Sequence, residues 1–277
     1  MKHDIKTTMH MLGVVLITCV LALLLAPYAV VEGVSLANEN PLIVAGILIV
    51  SVAVGSFVML KLSLKKNLVW LDAIMIFAFA QAIIIFTKMF FELSRWVYAL
   101  EFMAIYVLMF WGLLRSMQKD KRNARWAAPI WNICMVFAFL GIGIKLGYLL
   151  PVWVTLTILV IAAIYDYWAV HKSKTMVKLA EFLMGRMLFP GFIFYKKKEN
   201  NFAVLGGGDV AFMVLLGTAL FKVSALYAWL GMVGMFVGLV WLLYVSEEKK
   251  FYPAIPPIAA GLFIGILVAI ALKYMGV

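Results

Sequence analysis

Long apolar runs, following one another with little between them, constrain this chain more than any other feature. Crossing about 30 Å of hydrocarbon takes roughly 20 apolar residues in a helix. By that ruler the 277 residues hold nine candidate spans, at 9–31, 42–62, 69–90, 96–114, 127–147, 150–170, 208–229, 230–245 and 257–274. The eighth is short, and its division from the seventh is the least defined boundary. Lys2 and Lys6 ahead of the first run give it the look of a signal peptide. The run continues past Pro27 to Val31 without a small-x-small cleavage site, which favours an uncleaved span. With 66% hydrophobic and 13% charged residues and a mean hydropathy of +1.06, the chain leaves no soluble domain over. The expected fold class is therefore an all-α membrane protein of nine transmembrane helices. It forms a single polytopic domain over 1–277, with spans one to six in 1–170, a loop at 171–207 and spans seven to nine in 208–277.

Lys and Arg set the orientation. Of the 24 such residues, 19 fall in segments on one side of the nine spans and 5 (Lys88, Arg95, Lys145, Lys222 and Lys273) on the other. The N-terminus is thus expected in the cytoplasm and the C-terminus outside. The net charge of +11 comes from these short basic loops. No basic face with interleaved aromatics exists outside them, so nucleic acid is not an expected partner. Cys19 and Cys134 both lie in apolar runs, where packing is a more ordinary role than a disulfide or a metal site.

The one long loop, 171–207, lies on the cytoplasmic side in this topology. Met176, Leu179, Ala180, Leu183 and Met187 recur at a spacing that predicts a helix lying in the interface over 176–189. Pro190 and Gly191 end it, and 192–195 leads into Lys196, Lys197 and Lys198. A solvated basic loop accounts for this stretch as well as a gating role does.

Four of the 13 acidic residues fall within spans: Asp72, Glu101, Asp166 and Asp209. Asp72 and Glu101 lie close to span ends and are expected to snorkel to the interface. Asp166 is deeper: the sixth span enters from outside near Leu150, so Asp166 lies roughly 24 Å along a helix rising 1.5 Å per residue. The seventh span runs the other way and carries Asp209 just inside its cytoplasmic start, behind Gly206, Gly207 and Gly208. Adjacent antiparallel helices thus bring one carboxylate each to a similar depth. An ionisable group there is costly, which makes it a functional-site candidate. If the two meet, both cannot ionise, and the pair shares a proton. The ionised partner can then take a proton from water while the protonated partner donates to a carbonyl oxygen, which is hydrolysis by general acid–base catalysis. A structural or ion-conducting carboxyl pair fits the positions equally well.

A third feature, 251–258, holds Pro253, Pro256 and Pro257 at the start of the ninth span, at the level of both aspartates. Prolines cost little in a first helical turn, and they keep the preceding chain extended. Exposed backbone near Pro253, Ala254 and Ile255 and along the glycines could pair with an unwound substrate segment, as in strand addition. Read alone, the motif is also an ordinary proline stop.

Together these stretches resemble presenilin and the related signal peptide peptidases, the intramembrane aspartyl proteases. The motifs Tyr-Asp, Gly-x-Gly-Asp and Pro-Ala-Leu correspond to Tyr165-Asp166, Gly206-Gly207-Gly208-Asp209 and Pro253-Ala254-Ile255. Ala169-Val170, Leu188-Phe189-Pro190 and the Pro-Ala-x-Pro order through Pro256 also look like presenilin, and Asn38-Glu39-Asn40-Pro41 looks like the first outer loop of microbial homologues. Signal peptide peptidases have the inverted topology and a glutamine where Tyr252 stands. Prepilin-type peptidases usually carry a lysine soon after the aspartate, where this chain has Ala211 and Phe212. Two departures stand out. Ile255 replaces leucine, a volume-conserving change, and the loop lacks the segment that presenilin cuts on maturation.

The resemblance implies an aspartic-type intramembrane endopeptidase with Asp166 and Asp209 as its catalytic pair and Tyr165 in support. Gly206, Gly207, Gly208, Pro253, Ala254 and Ile255 would bind substrate, and neither metal nor organic cofactor is implied. Expected partners are the bilayer and single-pass transmembrane proteins with their N-termini outside, or signal-peptide remnants; a homo-oligomer is left open. The expected location is the plasma membrane if the chain is prokaryotic. Two alternatives stand beside this: a channel or transporter using the same acids, suggested by polar Gln81 and Asn132 at mid-span, and an inactive membrane scaffold.

Overall fold

The computed structural model describes residues 5–30, 43, 69–117, 121–173, 190–196, 201–246 and 252–275. The expected second span at 42–62, the outer loop at 38–41 and the interfacial helix at 176–189 lie outside the described residues. Among the described residues there are eight α-helices: α1 (Ile5–Leu25), α2 (Val69–Phe90), α3 (Arg95–Met117), α4 (Lys121–Leu149), α5 (Val152–Trp168), α6 (Gly207–Phe221), α7 (Ala225–Val245) and α8 (Ile255–Tyr274). Six stretches of the described residues are long and apolar enough to cross a membrane: 7–28, 72–90, 128–149, 152–172, 225–245 and 255–274. Trp96, Leu100, Met103 and Val107 on α3, and Ile264, Leu267 and Val268 on α8, are exposed apolar side chains at helical spacing. Such stripes are favourable only against lipid. The chain is an integral membrane protein.

The all-α expectation needs one correction. Between α5 and α6, β1 (Gly191–Lys196) pairs antiparallel with β2 (Asn201–Gly206), in the register Gly191 to Gly206 and Ile193 to Val204. Phe192, Ile193 and Phe194 are buried, so the strand is covered on both faces and lacks the alternation by which sequence marks a half-buried strand. A segment expected to be loop is a hairpin inserted among the helices.

The seventh and eighth spans also divide elsewhere than at 229–230. The break falls at 222–224: α6 has 15 residues and α7 has 21. Ser224 caps α7 by accepting from the Leu226 amide at 3.2 Å. Lys222 turns back to the end of α4, donating to the carbonyl of Tyr148 at 3.0 Å and to that of Leu150. Burial lowers its pKa from the usual lysine value. These bonds hold a cation against a helix C-terminus, where it is electrostatically favoured. At the same end of the bundle, the Tyr148 hydroxyl donates to the Ala26 carbonyl at 2.6 Å, and Val30 N–H to Met89 O at 2.9 Å.

Helix α6 is the centre of the core. Residues 213–220 are all buried, and α1, α4, α5 and α7 pack around the helix. At about 22 Å it is shorter than a hydrocarbon core is thick, which a helix surrounded by protein tolerates. Helices α7 and α8 approach each other closely. A Cβ at Gly234 would lie 2.1 Å from the Gly261 carbonyl oxygen, and one at Gly261 would lie 2.0 Å from that of Gly234. Gly238 faces the Pro257 carbonyl and Gly265 that of Leu230 in the same way. Small residues let helix backbones touch where lipid supplies no hydrophobic drive between them. This seam sets where α8 begins.

Candidate active site

Asp166 lies in the last turn of α5, and its Oδ2 accepts a hydrogen bond of 3.1 Å from the amide of Ile255, the first residue of α8. Pro256 and Pro257 follow, and neither has an N–H to offer. The next donor, Ile258, turns to the Ala254 carbonyl at 3.4 Å. The prolines therefore leave the Ile255 amide as the free donor of the first turn, and Asp166 acts as a cap supplied by another helix. A carboxylate is favoured there by the unpaired amides and the helix dipole.

This revises the expectation for 253–255. Ala254 is buried with helical backbone angles (φ −90°, ψ −31°) rather than extended ones, and the Ile255 N–H holds Asp166 rather than standing open. The segment positions a carboxyl group.

Asp209 is in the first turn of α6, again at a helix N-terminus, and the three glycines before it differ in surroundings. Gly206 lies under the carboxyl: a Cβ there would be 2.7 Å from Asp209 Oδ2. Gly207 packs into the protein, where a Cβ would meet Phe139 Cζ at 2.2 Å and the Pro190 carbonyl oxygen at 2.4 Å, and its N–H donates to Pro190 at 2.9 Å. A Cβ at Gly208 would have nothing within 4 Å. The run is one carboxylate rest, one packing contact and one open position.

Helices α5 and α6 are in contact, and Asp166 and Asp209 lie where the first ends and the second begins. His171 lies in the π-helical turn Ala169–Ser173 that continues α5 beyond Asp166. It stacks on Tyr167 with ring centroids 4.5 Å apart. Nothing in its sequence context singled it out. Tyr165 points elsewhere: with Ile161, Ile164 and Trp168 it lines an open apolar groove of about 410 Å³ on α5.

The other two acids within spans do not snorkel. Asp72 is only 3% exposed. Glu101 turns inward to α2, where its Oε1 lies 2.6 Å from the Thr87 hydroxyl. Distance from a span end carries no information about which way a side chain faces. The polar residues that suggested a channel part company as well: Gln81 is exposed on α2, and Asn132 is hydrogen-bonded to β1. Among the described residues no group of three His, Cys, Asp or Glu side chains could hold a metal ion.

No protein-family model matches the sequence, and no curated protein matches it. Solved structures do. A presenilin family intramembrane aspartate protease in a P2 crystal form aligns over 95% of this chain and 97% of its own, with a TM-score of 0.60 at 21% identity. The C222 form of a presenilin family intramembrane aspartate protease aligns over 95% of each chain, with a TM-score of 0.57 at 23% identity. This chain has the presenilin fold. Within it, Asp166 and Asp209 occupy the facing ends of α5 and α6, with the start of α8 against the first and the β-hairpin leading into the second.

Proposed function

We propose that this chain is an intramembrane aspartyl endopeptidase that hydrolyses peptide bonds of transmembrane helices near their cytoplasmic ends. The observation that supports the proposal is the placement of Asp166 at the end of α5 and Asp209 at the start of α6, two helices in contact, with one carboxyl held by the amide of Ile255 and the other resting on Gly206. One carboxylate takes a proton from water as the oxygen attacks the scissile carbonyl carbon. The other, protonated, donates to the carbonyl oxygen. The tetrahedral diol then collapses as a proton passes to the leaving nitrogen, giving a carboxyl and an amine with no covalent intermediate. Two carboxyl groups and water suffice, so no cofactor enters, and the titration belongs to the pair.

The remaining features belong to the same proposal. Nine spans with the N-terminus inside place both aspartates near the cytoplasmic face, and the substrates are single-pass proteins with their N-termini outside or signal-peptide remnants. The open position at Gly208 and the start of α8 flank the path of the unwound substrate, and Tyr165 lies beside it on the α5 groove. The cell membrane is the expected site in a prokaryote. Asp166→Ala and Asp209→Ala, each purified and mixed with a single-pass reporter in detergent or liposomes, are expected to abolish cleavage that the wild type performs. Cleavage retained in either would sink the proposal.

A further inference from the structure

Asn132, on α4, makes two hydrogen bonds to one residue of β1. Its Nδ2 donates to the Ile193 carbonyl at 2.8 Å, and its Oδ1 accepts from the Ile193 N–H at 2.8 Å. The neighbouring Trp131 donates its indole N–H to the Gly191 carbonyl at 3.0 Å. A carboxamide carries a donor and an acceptor side by side, so Asn132 meets the edge of β1 as a residue of an adjacent strand would. Ile193 is 5% exposed. Without this amide its two backbone groups would lose their partners in a buried place, which is costly.

The contact also sets the polarity of the hairpin. In an antiparallel pair, successive residues turn N–H and C=O alternately toward the partner and away from it. Ile193 turns away from β2, toward Asn132. Its cross-strand partner Val204 therefore turns away from β1, and so does Gly206, opposite Gly191. The Gly206 carbonyl begins α6 as its cap. The outer edge of β2 is left with the N–H and C=O of Val204 and the N–H of Gly206, none of which has a hydrogen-bond partner among the described residues. That edge runs directly into Gly208 and Asp209.

We propose that Asn132 is a positioning residue: by standing in for a strand on β1, it locks the hairpin so that an unwound substrate segment adds to β2 at Val204 and Gly206 in one register. This role rests on the protease reading above. A slip of one residue would turn Ala203 and Leu205 outward instead and shift the bond presented to Asp209. Asn132→Leu keeps the volume and removes the amide, so it frees the hairpin to slip. Asn132→Asp keeps the acceptor for the Ile193 N–H and loses the donor.

The test uses the full chain in detergent with a single-pass reporter. Products are located by mass spectrometry, and backbone amide exchange over 190–206 is followed with and without reporter in an Asp209→Asn background. The wild type is expected to cut at one principal bond. Asn132→Leu should spread its products over neighbouring bonds and lower kcat/KM about tenfold, in line with the loss of one to two hydrogen bonds. Reporter should slow exchange at Val204 and Gly206, and Asn132→Leu should remove that protection. A general loss of stability would lower the rate without moving the cut. Wild-type products together with wild-type protection of β2 in Asn132→Leu overturn the proposal. If that variant does not fold, Asn132→Asp decides by the same two measurements, with an intermediate spread expected. If the wild type cuts nothing, yet reporter protects β2 in an Asn132-dependent way, the role of Asn132 stands and the protease reading falls.

Discussion

Two glycine-rich regions of this molecule look alike in composition and differ in what the missing side chain makes room for. Along the α7–α8 seam, Gly234, Gly238, Gly261 and Gly265 each face a backbone carbonyl oxygen that a Cβ would approach to 2.0–2.3 Å. Backbone atoms cannot move aside, so these glycines set the separation of two helices. Before Asp209, the neighbours are a carboxylate at Gly206, a phenylalanine ring and a carbonyl at Gly207, and open space at Gly208. The seam is structural along its whole length, whereas the run changes function at every residue. The seam nonetheless serves the site, because it fixes the start of α8 and hence the amide that holds Asp166.

The comparison is broken most severely at the seam. Gly234→Leu forces α7 and α8 apart and is expected to cost roughly 3 kcal/mol or more, beyond the usual range for overpacking because the opposing atoms are backbone. A large drop in Tm by thermal unfolding in detergent, with loss of cleavage, is the expected result, and an unchanged Tm would show that the helices can separate freely. Gly207→Ala comes next, at about 1–3 kcal/mol. In a double-mutant cycle with Phe139→Ala, the coupling should fall short of the whole Gly207→Ala cost, since the Pro190 carbonyl still opposes the new methyl; a coupling equal to that cost would assign the whole contact to the ring.

Gly206→Ala separates stability from catalysis. The Cβ would press on Asp209 Oδ2, a side-chain atom that can swing away, so Tm should barely change. A catalytic group displaced by about 1 Å can cost on the order of 100-fold in rate, and kcat for the reporter is the measure. A wild-type kcat would mean that the carboxyl needs no rest at Gly206. The smallest effect is expected at Gly208. Gly208→Ala meets no protein atom and improves helix propensity, so stability should rise by about 0.5–1 kcal/mol. If substrate passes there, KM rises while kcat holds; an unchanged KM would place the substrate path elsewhere.

Much of the site was legible because depth along a helix is a product of residue number and rise. That product put Asp166 and Asp209 at one level, and in the structure the two helices that carry them are in contact. The hairpin was not legible. Residues 192–195 and 202–205 are rich in strand formers, but β1 is buried on both faces and the basic run between the strands reads as loop. The boundary between the seventh and eighth spans was misplaced because a length ruler gave the seventh a full membrane crossing, whereas α6 stops after 15 residues. The true break depends on Lys222 reaching the carbonyls of Tyr148 and Leu150 at and just past the end of α4, residues far away in sequence.

Hydropathy and helical rise are local, so the sequence by itself determined that this is a membrane protein of long helices and how far along them its carboxyl groups lie. The rotation of each helix about its axis is not local. It follows from which small residues meet which backbones, and the tertiary structure alone decided that Asp72 and Glu101 turn inward, that Asn132 completes a strand pair, and that the Ile255 amide meets Asp166.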